Sequence, residues 1–259
     1  MEGPARLTVL GSGTSVPTGD RTTSCYVVDD GAGTALLVDL GPGALQRAAA
    51  AGYDLDRLSG VLLTHIHPDH SADLVALDFA LRNAHPRRGM PPLTVWCHPA
   101  ALLLRERLRN AWRGWLGSGP DRLRLQAVGP GPLELPGGWE GRAFRIAHTE
   151  SSLGYRLRLP SGFEVAFSGD CTEGGELEEL GRDADLFVLE AAAAESAPIG
   201  GHLTPRRAGR VAAACGARHL LLTHFYPAVL AEPVEEPVRE SFEGRLTLAQ
   251  DGLFVSLGS

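Results

Sequence analysis

The sequence predicts a mixed α/β fold, in which short buried strands alternate with helices through two successive halves of the chain. Three observations carry this. Apolar runs such as Val61-Leu62-Leu63, Leu186-Phe187-Val188-Leu189 and Leu220-Leu221-Leu222 are short and closed by Gly, Pro or polar residues, as buried strands are. Between them stand stretches with helical spacing and helix start signals. Residues that carry chemistry recur directly after the apolar runs. With 259 residues, 44% of them apolar, the chain can bury a sizeable core, and residues 1–259 are read as a single domain.

Taken in order, Leu7-Thr8-Val9-Leu10 reads as the first strand, followed by the turn Gly11-Ser12-Gly13 and strands over 25–28 and 35–40. The turn lacks the third glycine and the following helix of a dinucleotide-binding loop, so a Rossmann reading is weak. Gly41-Pro42-Gly43 opens a helix through Ala51. A strand ends at Leu63, a His-rich turn follows, and a helix covers 71–81. Residues 93–97 form another strand. Pro99 then leads a helix to Trp115 whose Leu104, Leu108, Ala111, Trp112 and Trp115 share one face. That stripe is read as core packing, the alternative being a tryptophan at a pocket mouth.

In the second half, strands are expected over 142–147, 154–159, 164–167 and 185–189, with a helix over 176–180. Thr204-Pro205 is a good N-cap and first helical residue, and Gly216 a good stop. Residues 219–222 read as a buried strand and the Pro/Glu-rich segment 232–237 as a surface loop.

Composition removes several chemistries. All 24 basic residues are arginine, which excludes lysine nucleophiles and Schiff bases. A formal charge of −7 makes the chain a poor general polyanion binder. Cys25, Cys97, Cys171 and Cys215 form no C-x-x-C pair, and Met1 to Leu10 holds no signal-like apolar stretch. Free thiols in a reducing cytoplasm are the expectation. No apolar run is long enough to span a membrane.

The most informative segment is Thr64-His65-Ile66-His67-Pro68-Asp69-His70, directly after a buried strand. Three imidazoles and a carboxylate this close cannot share one helix or strand face, so they converge. A divalent metal is the expected partner, because these donors suit zinc and its neighbours and would be costly to bury alone. Further candidates follow apolar runs: His148, Asp170, Glu190 and His224. Strand ends on one edge of packed sheets converge in space, and the number of donors fits two ions.

These residues resemble the five-part signature of the metallo-β-lactamase superfamily, and within it the ribonuclease Z-like branch. The likeness to that branch rests on Leu10-Gly11-Ser12-Gly13 with Pro17-Thr18 and Arg21, on His148-Thr149 with Ser152-Leu153-Gly154-Tyr155-Arg156, and on Gly201-His202-Leu203-Thr204. The resemblance implies an αββα sandwich, two mixed β-sheets flanked by helices, with the site at the sheet edge. It implies that His65, His67 and His148 hold one metal, Asp69, His70 and His224 the other, and that Asp170 bridges them. Zinc is the expected metal, with manganese or iron as alternatives. The nucleophile would be a hydroxide shared by the ions, with Asp69 a candidate to orient it or take its proton. His202, backed by Glu190, would donate a proton to the leaving oxygen or stabilise charge on the substrate. The resemblance also implies a homodimer.

One departure bears on substrate. Transfer-RNA-processing members carry a long basic arm, whereas only 21 residues separate His148 from Asp170 here. The arm is missing. The Arg-rich stretch 105–124 is read as a solvated helix face, with a substitute RNA surface as the alternative. Cys171 stands where threonine is usual after the bridging aspartate, either as an isostere or as an oxidisable thiol. The expected function is therefore a dinuclear metal-dependent phosphodiesterase acting on a small or short, single-stranded phosphodiester. The alternatives are ribonuclease Z proper, an arylsulfatase or lactonase, and a non-catalytic metal-binding protein.

Overall fold

The computed structural model describes residues 3–83 and 87–258; Met1, where the amino terminus was read, lies outside them. The first sheet takes β1 (Arg6–Gly11), β2 (Cys25–Asp29), β3 (Ala35–Val38), β4 (Gly60–Leu62), β5 (Leu93–Cys97) and β6 (Leu123–Ala127). The second takes β7 (Gly131–Glu134), β8 (Glu140–Arg145), β9 (Leu153–Arg158), β10 (Glu164–Phe167), β11 (Leu186–Glu190), β12 (His219–Thr223) and β13 (Arg245–Leu248). The chain then returns to the first sheet, where β14 (Phe254–Ser256) pairs with β1. The strand orders are β14-β1-β2-β3-β4-β5-β6 and β13-β12-β11-β10-β9-β8-β7, seven strands each. Both sheets are mixed: β3 to β6 and β10 to β13 run parallel, the rest antiparallel.

The period-2 alternation of the strands builds three apolar layers. Between the sheets, Val9, Tyr26, Val38, Leu62 and Trp96 meet Tyr155, Val165, Phe167, Val188 and Leu221. The opposite residues of the first sheet, Val27, Leu37, Val61 and Val95, pack on α1 (Ala44–Ala50) and α3 (Asp73–Leu81), which follows the short α2 (Pro68–Ser71). Phe187, Leu189, Leu220 and Leu222 of the second sheet pack on α5 (Leu177–Gly181) and α6 (Pro205–Cys215). Helix, sheet, sheet and helix are thus stacked, the sandwich the resemblance implies. Helix α6 begins and ends as its sequence requires: the Thr204 hydroxyl accepts from Arg207 N–H, Pro205 is the first residue, and Gly216 is left-handed at φ 68°.

Several expectations need correction. Helix α4 (Pro99–Ala111) stops before Trp112, because Arg113 is left-handed at φ 47°. Only Ala101 of α4 is fully buried, and Trp112 and Trp115 are 52% and 64% exposed, so the stripe is not core. Segment 232–237 is not simply loop; α8 (Glu235–Arg239) follows the short α7 (Pro227–Leu230) and buries Pro237 and Val238, the Val238 backbone lying against Gly209 of α6. Strands β6, β7, β13 and β14 were not anticipated, since their partly exposed residues give no clean apolar run.

Candidate metal centre

The His-rich turn leaves β4 and enters α2 at Pro68, so Asp69 and His70 lie in the first helical turn rather than on a free loop. Pro68 suits that start, since its missing N–H would be unsatisfied there anyway. The other candidates arrive from the second sheet: His148 beyond β8, Asp170 beyond β10, Glu190 as the last residue of β11, and His224 directly after β12. Two backbone positions are special. Gly169 takes φ 60°, and a Cβ there would lie 2.8 Å from the Thr64 Cβ, so only glycine turns β10 toward the site. His224 is itself left-handed at φ 60°, a strained conformation for a residue with a side chain.

Two groups of donors form, each with its atoms within 4.8 Å of one another: His65, His67, His148 and Asp170, and Asp69, His70 and His224. Asp170 joins them. Its Oδ2 lies 3.7 Å from His65 Nε2 and 3.8 Å from His148 Nε2, and its Oδ1 lies 3.1 Å from His70 Nε2 and 3.2 Å from His224 Nε2. Asp69 Oδ2 stands 3.9 Å from both His70 and His224.

This set fits a cation. His65 Nε2, His70 Nε2, Asp170 Oδ1 and His224 Nδ1 are buried without a hydrogen-bond partner, a costly arrangement that coordination would resolve for the atoms turned inward. The ring protons on the far side are anchored. His70 donates Nδ1–H to Asp39 at 2.7 Å, His148 donates to the Gly201 carbonyl at 3.0 Å, and His65 Nδ1 lies 3.1 Å from the Thr64 hydroxyl. Each bond fixes a tautomer and leaves Nε2 as the free donor atom. His148 Nε2 also faces His67 Nδ1 at 3.3 Å. The cluster therefore supports divalent metal binding.

Charges in the pocket follow the same geometry. Burial, then neighbouring imidazoles, push His65 well below the usual histidine range and lower His67. Burial also opposes a charge on His70, but Asp170 and Asp39 outweigh it and raise this group well above that range. Asp170 is desolvated, yet His224 and His70 hold its carboxyl well below the carboxylate range. A cation held by the inward-facing nitrogens would supply positive charge beside the same carboxylate.

His202 Nδ1 donates to Glu190 Oε1 at 2.8 Å, and its ring lies 4.9 Å from His148 and 6.2 Å from His224, beside both donor groups. Burial lowers the affinity of His202 for its proton, but Glu190 more than compensates and the net shift is upward. Glu190 is 1% exposed and also accepts from the N–H groups of Cys171, Ala192 and Leu203. It is thus both a knot of the local backbone and the group that orients His202.

Sequence reasoning missed Asp39. It follows β3 in a left-handed conformation, φ 64°, and accepts from Thr64 N–H, Thr64 Oγ1, Ser24 Oγ and His70. Its place after the apolar run Leu36-Leu37-Val38 was the available signal, the same one that marked Asp170 and His224. Tyr226 was missed too: its ring stands 6.5 Å from those of His202 and His224, and its hydroxyl lies 3.3 Å from Ser15 Oγ. Cys171 is fully buried, and burial first, then Glu190, raises its thiol well above the usual range; an oxidisable thiol is not what this environment makes.

A Beta-lactamase superfamily domain profile matches residues 34–225. An uncharacterized protein of Mycobacterium leprae (strain TN) is 32% identical over 92% of this chain and 84% of its own length. A protein named Ribonuclease Z from Mycolicibacterium paratuberculosis is 29% identical over 95% of both. Among solved structures, the metallo-beta-lactamase fold protein YhfI from Bacillus subtilis superimposes with a TM-score of 0.82 at 24% identity, over 98% of this chain and 100% of that one. Human short-form tRNase Z gives 0.75 at 22%, over 98% and 100%. A diphosphatase of the PhnP family gives 0.73 at 21%, over 98% of each. With the profile spanning most of the chain and the fold shared with these structures, the protein belongs to the beta-lactamase superfamily.

Proposed function

We propose that this chain is a dinuclear, metal-dependent phosphodiesterase that hydrolyses small or short, single-stranded phosphodiesters. The observation that carries the reading is Asp170, whose two oxygens face two separate donor groups 3.1–3.8 Å away. In this reading His65, His67 and His148 would hold one ion and Asp69, His70 and His224 the other, with Asp170 contributing to both. Zinc suits the donors best, with manganese or iron as alternatives. Bound there, the ions would supply Lewis acidity that lowers the pKa of a water toward neutrality. No side-chain nucleophile is required. Asp69 would orient an attacking water or accept its proton. His202, its Nδ1 tied to Glu190, presents Nε2 to the substrate and protonates the leaving oxygen or stabilises the growing negative charge.

The relatives support phosphate chemistry: one is named a ribonuclease Z and one neighbouring structure is a diphosphatase. The connection from His148 to Asp170 is used up by β9 and β10, which leaves no room for an RNA-gripping arm and favours short substrates over a folded RNA. The four cysteines are free and buried, which supports a reducing cytoplasm. No helix among the described residues is long and apolar enough to cross a membrane.

The test is side-by-side turnover of a nitrophenyl phosphodiester, an aryl sulfate, a lactone and a precursor transfer RNA by one metal-loaded preparation. The phosphodiester is expected to give the highest kcat/KM. A sulfate or lactone turned over better would move the assignment to that ester class, and no turnover of any would favour a non-catalytic metal-binding protein.

A further inference from the structure

The helix that carries Asp69 also carries an apolar surface that the fold leaves open. Ala72 joins α2 to α3 with helical angles, φ −63° and ψ −33°, so residues 68–81 run on as one helical path. Leu74, Leu77 and Leu81 face the core. The opposite side would be polar in an ordinary surface helix. Here it holds Ala72, Val75, Ala76 and Phe79, and Phe79 is 47% exposed. With Trp112 and Trp115 these residues line a groove of about 470 Å³.

The groove is built and held. Asp78, on α3, accepts from Arg105 at 2.8 and 3.1 Å and from Ser118 N–H and Oγ at 2.8 Å, which pins the segment after α4 to α3. Arg82 donates to the Gly114 and Trp115 carbonyls at 2.7 and 2.8 Å, and its guanidinium lies 5.6 Å from the Trp115 ring centroid. Two tryptophans are thus fixed in place while more than half exposed.

The groove is also in line with the metal centre. Asp69, Ala72, Ala76 and Phe79 stand at i, i+3, i+7 and i+10, one stripe of the helix. At 1.5 Å per residue that stripe is about 15 Å long, the span of two or three nucleotides. The local charge is opposite to that of the whole chain. Residues 102–124 hold six arginines and two carboxylates in a protein of net charge −7. Among the described residues, neither Arg82 nor Arg113, which flank the tryptophans, has a carboxylate at ion-pair distance.

We propose that this groove is a binding site for a short single-stranded oligonucleotide, whose bases stack on Phe79, Trp112 and Trp115 while the scissile phosphate sits at Asp69 and Asp170. Rigid aromatic faces beside unpaired arginines are what a single strand needs, since every base has a stackable face and its phosphates meet the cations. The site deepens the phosphodiesterase reading and rests on it for the position of the scissile bond.

Fluorescence tests the binding without turnover. Trp96 and Trp139 are buried, so a change in tryptophan emission on ligand binding reports mainly on Trp112 and Trp115. A phosphorothioate pentanucleotide is titrated into the metal-loaded protein, and kcat/KM is compared for a pentanucleotide and a nitrophenyl phosphodiester. The oligonucleotide is expected to quench the emission saturably. In the Trp112→Ala/Trp115→Ala variant the quench should vanish, and the ratio of pentanucleotide to nitrophenyl kcat/KM should fall about ten-fold or more. Arg113→Ala should flatten the salt dependence of oligonucleotide binding by about one unit of slope. Absence of quenching, or an unchanged substrate ratio, overturns the proposal. So does a decyl nitrophenyl phosphodiester that gains from the groove as much as the oligonucleotide, or self-association lost in the double variant with oligonucleotide binding intact, which would make a second copy of this chain the occupant. Failure to cleave any phosphodiester while the quench persists would refute the phosphodiesterase reading and leave the binding site standing.

Discussion

Asp170 is the residue on which the site turns, because one carboxylate faces imidazoles from both donor groups. Asp170→Ala is expected to release metal or leave the site disordered, with turnover lost as a consequence. His202→Ala should keep the metal content of the parent protein and cut kcat by roughly 10²-fold or more, the usual cost of a lost acid or oxyanion donor. Elemental analysis beside kinetics separates the two roles, and metal loss in His202→Ala would show the assignment to be wrong. Asp39 makes a third test. It touches no proposed ion, but it holds the His70 tautomer and the Thr64 backbone that leads into the His-rich turn. Asp39→Asn preserves shape and weakens the acceptor, so metal affinity should drop about 10–100-fold, read by competition with a chelator. An unchanged affinity would reduce Asp39 to a backbone support.

At the scale of elements, the site is a consequence of where buried strands end. β3, β10 and β12 deliver Asp39, Asp170 and His224 to one edge, and β11 ends on Glu190. That logic was legible in the sequence wherever a clean apolar run preceded a polar donor, which is why His65, Asp170 and His224 could be placed from spacing. The division of the ligands into two groups was not legible from spacing, since it depends on how two sheets face each other; family resemblance supplied it. Trp112 and Trp115 misled for a physical reason. Helical periodicity reports a shared face without saying that anything packs against it, and Arg113 ends the regularity before the last tryptophan. Another strand end makes a pH prediction. His219 starts β12 with Nε2 near Thr247 Oγ1, and burial first, then Arg245, lowers its pKa to about 4. An unfolded histidine titrates near 6.5, so between about 6.5 and 4 the unfolded chain binds more protons. Stability is therefore full above that window and falls as pH drops through it. The gap in urea midpoint between wild type and His219→Gln should change in the variant's favour from pH 7 to pH 4.5; parallel pH profiles would contradict this.

The molecule as a whole is an open-edged sandwich whose centre lies where strands of both sheets end, with no arm between His148 and Asp170. Binding energy far from the scissile bond is what keeps a large folded substrate in register. A 3′-extended transfer RNA should therefore be a poor substrate, and its kcat/KM should depend on salt only weakly, because few phosphates are neutralised. Efficient, accurately placed cleavage with a steep salt slope would promote ribonuclease Z proper to the leading assignment.

The central claim, two ions acting through one bridged site, is tested most directly by titrating zinc into chelator-treated protein while nitrophenyl phosphodiester hydrolysis and bound metal are followed together. The account predicts that activity is absent at the start and rises to a plateau as occupancy approaches two ions per chain. Full activity in the metal-free protein, or a failure to bind zinc or manganese at all, would contradict it.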